Sequence, residues 1–261
     1  MPLTLFKIGG ALVDDAAARD TFWRGVAACL DAGDRAVVVH GGGPQSSALT
    51  RRLGGEPRMV AGRRVTGDLD LAVTAYALRG AASAHLVASA SALGLRAVGV
   101  AGLDGGLVRV VRRPPVDIDG ETVDFGHVGD VTGTDVRLLD VLLAAGFVPV
   151  VSPLCVDERG HLLNVNADTV ACALAEGLRA DAFRLVTETG GVRRHADDPS
   201  SHLDTLDAAT VAEGVRDGWI AGGMRPKLDV ALRALAAGVA DVSILGPTDL
   251  LAGHGGTRIT P

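Results

Sequence analysis

Val37-Val38-Val39-His40-Gly41-Gly42-Gly43-Pro44-Gln45 runs three β-branched residues into three glycines and then into a proline-led helix start. β-Branched side chains pack well on a buried, pleated strand. Glycines let backbone N–H groups approach a ligand with no Cβ between, and a helix N-terminus adds fixed positive partial charge. A second turn of this kind stands earlier, where the apolar run Leu3 to Ile8 ends in Gly9-Gly10. Asp14-Asp15 then caps a helix that presents Phe22, Val26, Ala27 and Leu30 on one face and stops at Gly33. Strand, glycine turn, helix, repeated once, is the opening of a right-handed parallel βαβ fold whose glycine turns share one rim.

Working outward, the pattern predicts a short helix over 46–53, a hairpin over 57–65, a long alanine-rich helix over 69–93 and a strand over 96–100. Residues 106–130 are valine-rich but broken by Pro114-Pro115, Asp119-Gly120 and Gly126, which suits β-hairpins laid over a site as a lid. A helix over 138–145, a strand over 148–151, a turn at 157–160 between two short strands, a helix from Asn166 and a strand over 182–187 follow. A polar insert at 193–205, a helix from Asp207 and a last helix over 223–237 precede strand 242–245 and a glycine-rich ending. With no internal repeat and no linker, two lobes on one sheet are expected, 1–165 and 166–261, hinged near 165–180.

At 261 residues and 48% hydrophobic, with 35 glycines and only 3% aromatics, the chain builds its core from small branched side chains. A net charge of −6 with no long basic run argues against nucleic-acid or anionic-membrane partners and for small molecules. Cys29, Cys155 and Cys172 have no paired spacing and sit in apolar segments, as buried thiols of a reducing cytoplasm do. No cleavable leader and no run of 18 apolar residues is present, so a cytoplasmic location is expected.

Several polar residues ask for an explanation. Each glycine turn serves either packing or an anion, and neither matches G-x-G-x-x-G or G-x-x-x-x-G-K-[ST]. Lys7 interrupts a buried strand, so its ammonium either snorkels out or meets something anionic. In Asn164-Val165-Asn166-Ala167-Asp168 an N-cap accounts for Asn166 alone, and Asp168 either favours the helix dipole or serves a site. Lys227 lies one turn inside a helix N-terminus, the unfavourable end for a cation. His40, at a strand end, reads as structural rather than as a base.

KIGG at 7–10, VVVHGGGPQ, GRRVT at 62–66, HVGDVTGT at 127–134, LLNVNADTVACALA at 162–175 and GGMRPKLDVAL at 222–232 resemble, in order and spacing, the amino acid kinase family. The match is nearest to its branch that phosphorylates N-acetyl-L-glutamate. The resemblance implies a three-layer α-β-α sandwich around a mainly parallel open sheet. The lobe 1–165 would take the acyl-amino-acid substrate and the dimer contact, and 166–261 would take ATP. It implies transfer of the ATP γ-phosphoryl group to a carboxylate, with Mg²⁺ carried on the nucleotide and no protein metal cage. The acceptor is already ionised at neutral pH, so charge neutralisation and positioning replace a general base.

By the same resemblance Lys7 and Lys227 contact the transferring group, Asp168 orients both lysines, and Gly9, Gly10 and Gly41 lend amides to phosphate. Gly42, Gly43, Arg64 and Asn164 would hold the N-acylated glutamate, and Thr187, Glu188, Gly190, Gly191, Gly222 and Gly223 would hold ATP. Two departures stand out. Gly80-Ala81-Ala82-Ser83-Ala84-His85 stands where the family usually carries an asparagine and a lysine, and the small Ser83 leaves N-succinylglutamate as an alternative acceptor, while VGDVTGT leaves a carrier-linked aminoadipate or glutamate. The stretch Thr187-Glu188-Thr189-Gly190-Gly191 replaces a usual T-D-V-x-G. A non-catalytic amino-acid or nucleotide sensor is the other alternative. The chain begins at its first strand, without the helical extension of arginine-inhibited hexamers, so a homodimer without strong arginine feedback is expected, joined through the helix at 70–92.

Overall fold

The structure, a computed structural model, describes residues 1–118, 120–195 and 197–261. Asp119 of the expected Asp119-Gly120 turn and Ala196 of the polar insert lie outside the described residues. The strands that position the site are β1 (Leu3–Ile8), β2 (Arg35–His40), β3 (Ala97–Ala101), β4 (Val108–Arg112), β5 (Gly129–Thr134), β6 (Val148–Ser152), β7 (Leu154–Val156), β8 (Leu162–Asn164), β9 (Ala182–Val186), β10 (Thr205–Asp207), β11 (Asp241–Leu245) and β12 (Thr257–Thr260). The main sheet runs β10-β12-β11-β9-β1-β2-β6-β3. All pairings from β11 to β3 are parallel, and β12 turns antiparallel against β11. Strands from before residue 165 fill one half and strands from after it the other, meeting at β1 and β9.

Two apolar layers cover the sheet because its strands are buried on both faces. Phe6 and Ile8 of β1 join Val38, Phe22, Trp23 and Leu86 on one face. Leu3 and Leu5 join Val37, Val39, Val170 and Leu174 on the other. The period-2 alternation puts Lys7 on this second face, under the helix that begins with Ala167.

The helices are α1 (Gly10–Asp14), α2 (Ala16–Asp31), α3 (Gly43–Arg52), α4 (Asp68–Thr74, Ala75–Ala82 and Ser83–Ala92 in unbroken succession, the middle part π-helical), α5 (Arg137–Ala144), α6 (Ala167–Leu178), α7 (Ala208–Arg216), α8 (Met224–Ala236) and α9 (Pro247–Ala252). Asp15 caps α2 by accepting from Ala17 and Ala18 N–H, Asn166 caps α6 through Thr169 N–H, and Asp207 caps α7 through Thr210 N–H, each where the sequence places a helix start. α9 and β12 escape that reading. The glycine-rich ending is not a loop: Leu250 of α9 packs onto Gly25 of α2, and β12 pairs with both β11 and β10. Six-residue and four-residue elements are too short for periodicity to reveal, and tertiary packing holds them.

A smaller sheet, β8-β7-β4-β5, stands apart from the main one. Its neighbours, the hairpins Met59–Val60/Arg63–Arg64 and Val116–Ile118/Glu121–Val123, share a cluster around Val123, Phe125 and Val128. Thr66 N–H donates to Phe125 O and His127 N–H to Thr66 O, so the two hairpin regions are stitched together.

Candidate active site

The carboxyl ends of β1, β2 and β9 open into one cleft of about 580 Å³. Lys7, Gly9, Gly10, Leu12, Pro44, Thr187, Glu188, Gly191, Gly223 and Lys227 border it, together with Trp219, Ile220 and Met224. This is where a doubly wound sheet binds ligands, because connections leave neighbouring strands in opposite directions there. Gly190 and Gly222 are not part of the wall; both have positive φ, 69° and 56°, and serve the turns beside it.

Lys7 is 5% exposed and meets Asp168 Oδ1 at 2.8 Å; Asp168 is 7% exposed. Asp168 Oδ1 gains no aligned hydrogen bond, so the contact is an ion pair first. Asp168 stands in the first turn of α6, where the dipole also favours its charge. Both open questions about these residues therefore have one answer: each is the other's counter-charge, across 161 residues of chain.

Lys227 takes a different posture. Its ammonium donates to Gly223 O at 2.9 Å, capping its own helix backwards, and forms no ion pair with Asp168 among the described residues. Burial pushes its pKa below the usual lysine value; Asp168 opposes that shift and Lys7 adds to it. The three charges thus share one neighbourhood, with one acid beside two cations. Glu188 and Arg193 border the same cleft, so around it three cations stand against two acids, an excess of positive charge that suits an anion.

The glycines divide by cause. A Cβ on Gly9 or Gly43 would meet nothing within 4 Å, so their bareness leaves open room at the rim. A Cβ on Gly42 would strike Leu78 Cγ at 2.8 Å, and one on Gly10 would strike Gln45 Oε1 at 2.7 Å and Pro44 Cδ at 2.8 Å. Gly10 and Gly42 are glycines because protein packs there. Gly41 is in ordinary contact and ties the turns by donating to Ile8 O at 2.9 Å.

Arg64 reaches from its hairpin to the start of α3, where Nη2 donates to Gly43 O at 3.1 Å and to Ser47 Oγ. Nη1 is buried without a partner, and among the described residues no carboxylate ion-pairs with this guanidinium. Burial lowers its pKa, Asp70 offsets that and Arg51 adds to it. Asn164 Nδ2, at the end of β8, donates to Thr66 Oγ1 at 3.2 Å. His40 is fully buried and its pKa is lowered to about 4 by burial, partly offset by the Nδ1–H bond to Gly41 O. A neutral, buried imidazole matches the structural reading.

Ser83 does not reach the rim. Its hydroxyl abuts Gly99 in the middle of β3, whereas Leu78, five residues earlier on α4, is the side chain against Gly42. The apolar wall of Trp219, Ile220 and Met224 has little signature in the sequence beyond a tryptophan, one of two in the chain, just before GGMRPK. Among the described residues no group of three or more His, Cys, Asp or Glu gathers as metal ligands. No helix of the described residues is long and apolar enough to cross a membrane.

A three-layer α/β sheet with glycine turns, helix N-termini and two lysines around one cleft defines a phosphoryl-group-binding class of protein. The chain belongs to the amino acid kinase family, whose model matches residues 2–246. It is 44% identical to the acetylglutamate kinase of Anaeromyxobacter dehalogenans strain 2CP-C over 262 aligned residues, covering 97% of this chain and 95% of that one. Among solved structures it superposes on smu.665 of Streptococcus mutans UA159 with a TM-score of 0.84 at 29% identity, covering 99% and 98% of the two chains. It also superposes on the Giardia lamblia carbamate kinase bound to AMP-PNP with a TM-score of 0.72 at 16% identity, covering 99% and 98%; that likeness is one of fold.

Proposed function

We propose that this chain transfers the γ-phosphoryl group of ATP to the γ-carboxylate of N-acetyl-L-glutamate, a carboxyl-acceptor phosphotransfer of arginine biosynthesis. A carboxylate oxygen forms the new bond to phosphorus as the bond to the ADP oxygen breaks, and no proton need move. Two anions must approach, so the barrier is repulsion, and the remedy is fixed positive charge at the point of transfer. The single observation that carries this reading is that Lys7 and Lys227, from opposite halves of the sheet, border one cleft, and that Asp168, paired with Lys7, also acts on the charge of Lys227.

In this reading Lys7 is held by Asp168, and Lys227 leaves Gly223 O for the transferring group. Amides of Gly9 and Gly10 take phosphate oxygens, whereas the Gly41 amide expected to join them is committed to Ile8 O and ties the turns instead. Arg64, with its unpartnered Nη1, reads the α-carboxylate, supported by Gly42, Gly43 and Asn164. ATP, entering as its Mg²⁺ complex, lies against Thr187, Glu188 and Gly191, with its base toward Trp219 and Met224. Residues 1–165 form the acceptor lobe and 166–261 the nucleotide lobe. The exposed face of α4, with Tyr76 at 68% and Leu69 at 46%, supports a homodimer through that helix.

Trapping acyl phosphate with hydroxylamine tests the reading. With MgATP, N-acetyl-L-glutamate gives hydroxamate well above N-succinylglutamate and free glutamate. Equal or greater product from the succinyl compound would move the assignment, and no product with any acceptor would leave a sensor.

A further inference from the structure

The glycine turns leave neighbouring strands in register, Ile8 beside His40, and their backbones are joined at the base by the Gly41 N–H to Ile8 O bond. Above that bond one side chain spans them. Gln45, in the first turn of α3, donates from Nε2 to Gly10 O at 2.6 Å. Its other atom, Oε1, is buried without a partner and lies 2.7 Å from where a Cβ on Gly10 would stand. Pro44 presses on the same spot, so α1 and α3 touch through Gly10 with no slack. α1 is only five residues long and ends at Asp14, so its own hydrogen bonds fix its direction weakly.

We infer that Gln45 is a positioning residue: its amide sets the height and rotation of the Gly9-Gly10 turn against the Gly42-Gly43 turn, and so the distance between phosphoryl donor and carboxylate acceptor. The inference rests on the phosphotransfer reading, in which the first turn serves phosphate and the second the acceptor. Gln45 touches neither substrate; it acts through the carbonyl of Gly10. Each substrate on its own binds one turn and is indifferent to the gap, whereas the transfer step is sensitive to it, since a misplacement near 1 Å costs roughly 10²-fold.

The test is steady-state kinetics of the full chain in the hydroxamate assay with Gln45→Met and Gln45→Glu. Gln45→Met keeps length and bulk but donates nothing. Its kcat is expected to fall by roughly 10- to 100-fold with both KM values within about 3-fold of the parent. Gln45→Glu sets a carboxylate against a carbonyl and loses more at neutral pH. As pH falls its carboxyl gains a proton, donates to Gly10 O again, and kcat relative to the parent rises toward pH 5. A residue that merely filled space would show no such recovery. A kcat within 2-fold of the parent in Gln45→Met, a rise in KM alone, or a Gln45→Glu ratio flat with pH would overturn the inference. An inactive parent chain would instead sink the phosphotransfer reading.

Discussion

Asp168→Asn removes the counter-charge that Lys7 meets, which is its only ion-pair partner among the described residues. At 2.8 Å and an effective dielectric near 20, the pair attracts by about 6 kcal/mol, most of which offsets desolvation. Breaking such a pair by removing one partner costs about 3–5 kcal/mol. Lys7→Met strands Asp168 instead, but α6 still favours that charge, so this variant is expected to lose about 1 kcal/mol less. Lys7→Met combined with Asp168→Leu buries no charge and is expected to return to within about 2 kcal/mol of the parent. For a chain of this length 4 kcal/mol lowers Tm by roughly 8–16 °C. Calorimetry of the four proteins gives the cycle, and the hydroxamate assay gives turnover. Stability recovers in the double variant and activity does not, because the apolar pair packs but cannot meet a phosphoryl group. Additive losses of stability, or a double variant that regains turnover, would refute the ion-pair reasoning.

Lys227→Ala should lower kcat by roughly 10²- to 10³-fold with little change in either KM; since burial depresses the Lys227 pKa, the parent loses kcat on the alkaline side below the ordinary lysine range, and Lys227→Arg moves that limb upward. A Cβ on Gly9 meets no atom and its φ of −75° suits any residue, so Gly9→Ala should keep the parent Tm while kcat/KM drops by roughly 10²-fold; a fully active Gly9→Ala protein would show that the open room belongs to no ligand. His40 takes up a proton near pH 4 when folded and near 6.5 when unfolded, so the unfolded chain binds more protons between these values and stability falls as pH drops from 6.5 to 4, by about 3 kcal/mol in total. Denaturation of His40→Leu across that window should lack this slope, and an unchanged slope would assign it elsewhere.

Much of this protein is legible in sequence because local rules carry it. Six consecutive buried residues in Leu3–Ile8, the strand at Arg35–His40 and the caps Asp15, Asn166 and Asp207 each follow from side-chain type and the chain immediately around them. The turn glycines were legible as a group but not in their division of labour. Gly42 faces Leu78 and Gly10 faces Gln45, contacts that depend on how α3 settles against α4 and α1.

The linear chain by itself determined that a parallel sheet would present two bare backbone turns at one rim, and that a lysine would be trapped in its first strand, since burial pattern and glycine placement are local properties. Only the tertiary structure decided what that lysine meets, which way Lys227 points, and that Ser83 lies below the rim rather than at it. Charge pairing and packing act through space over a few ångströms, between residues that the order along the chain leaves far apart.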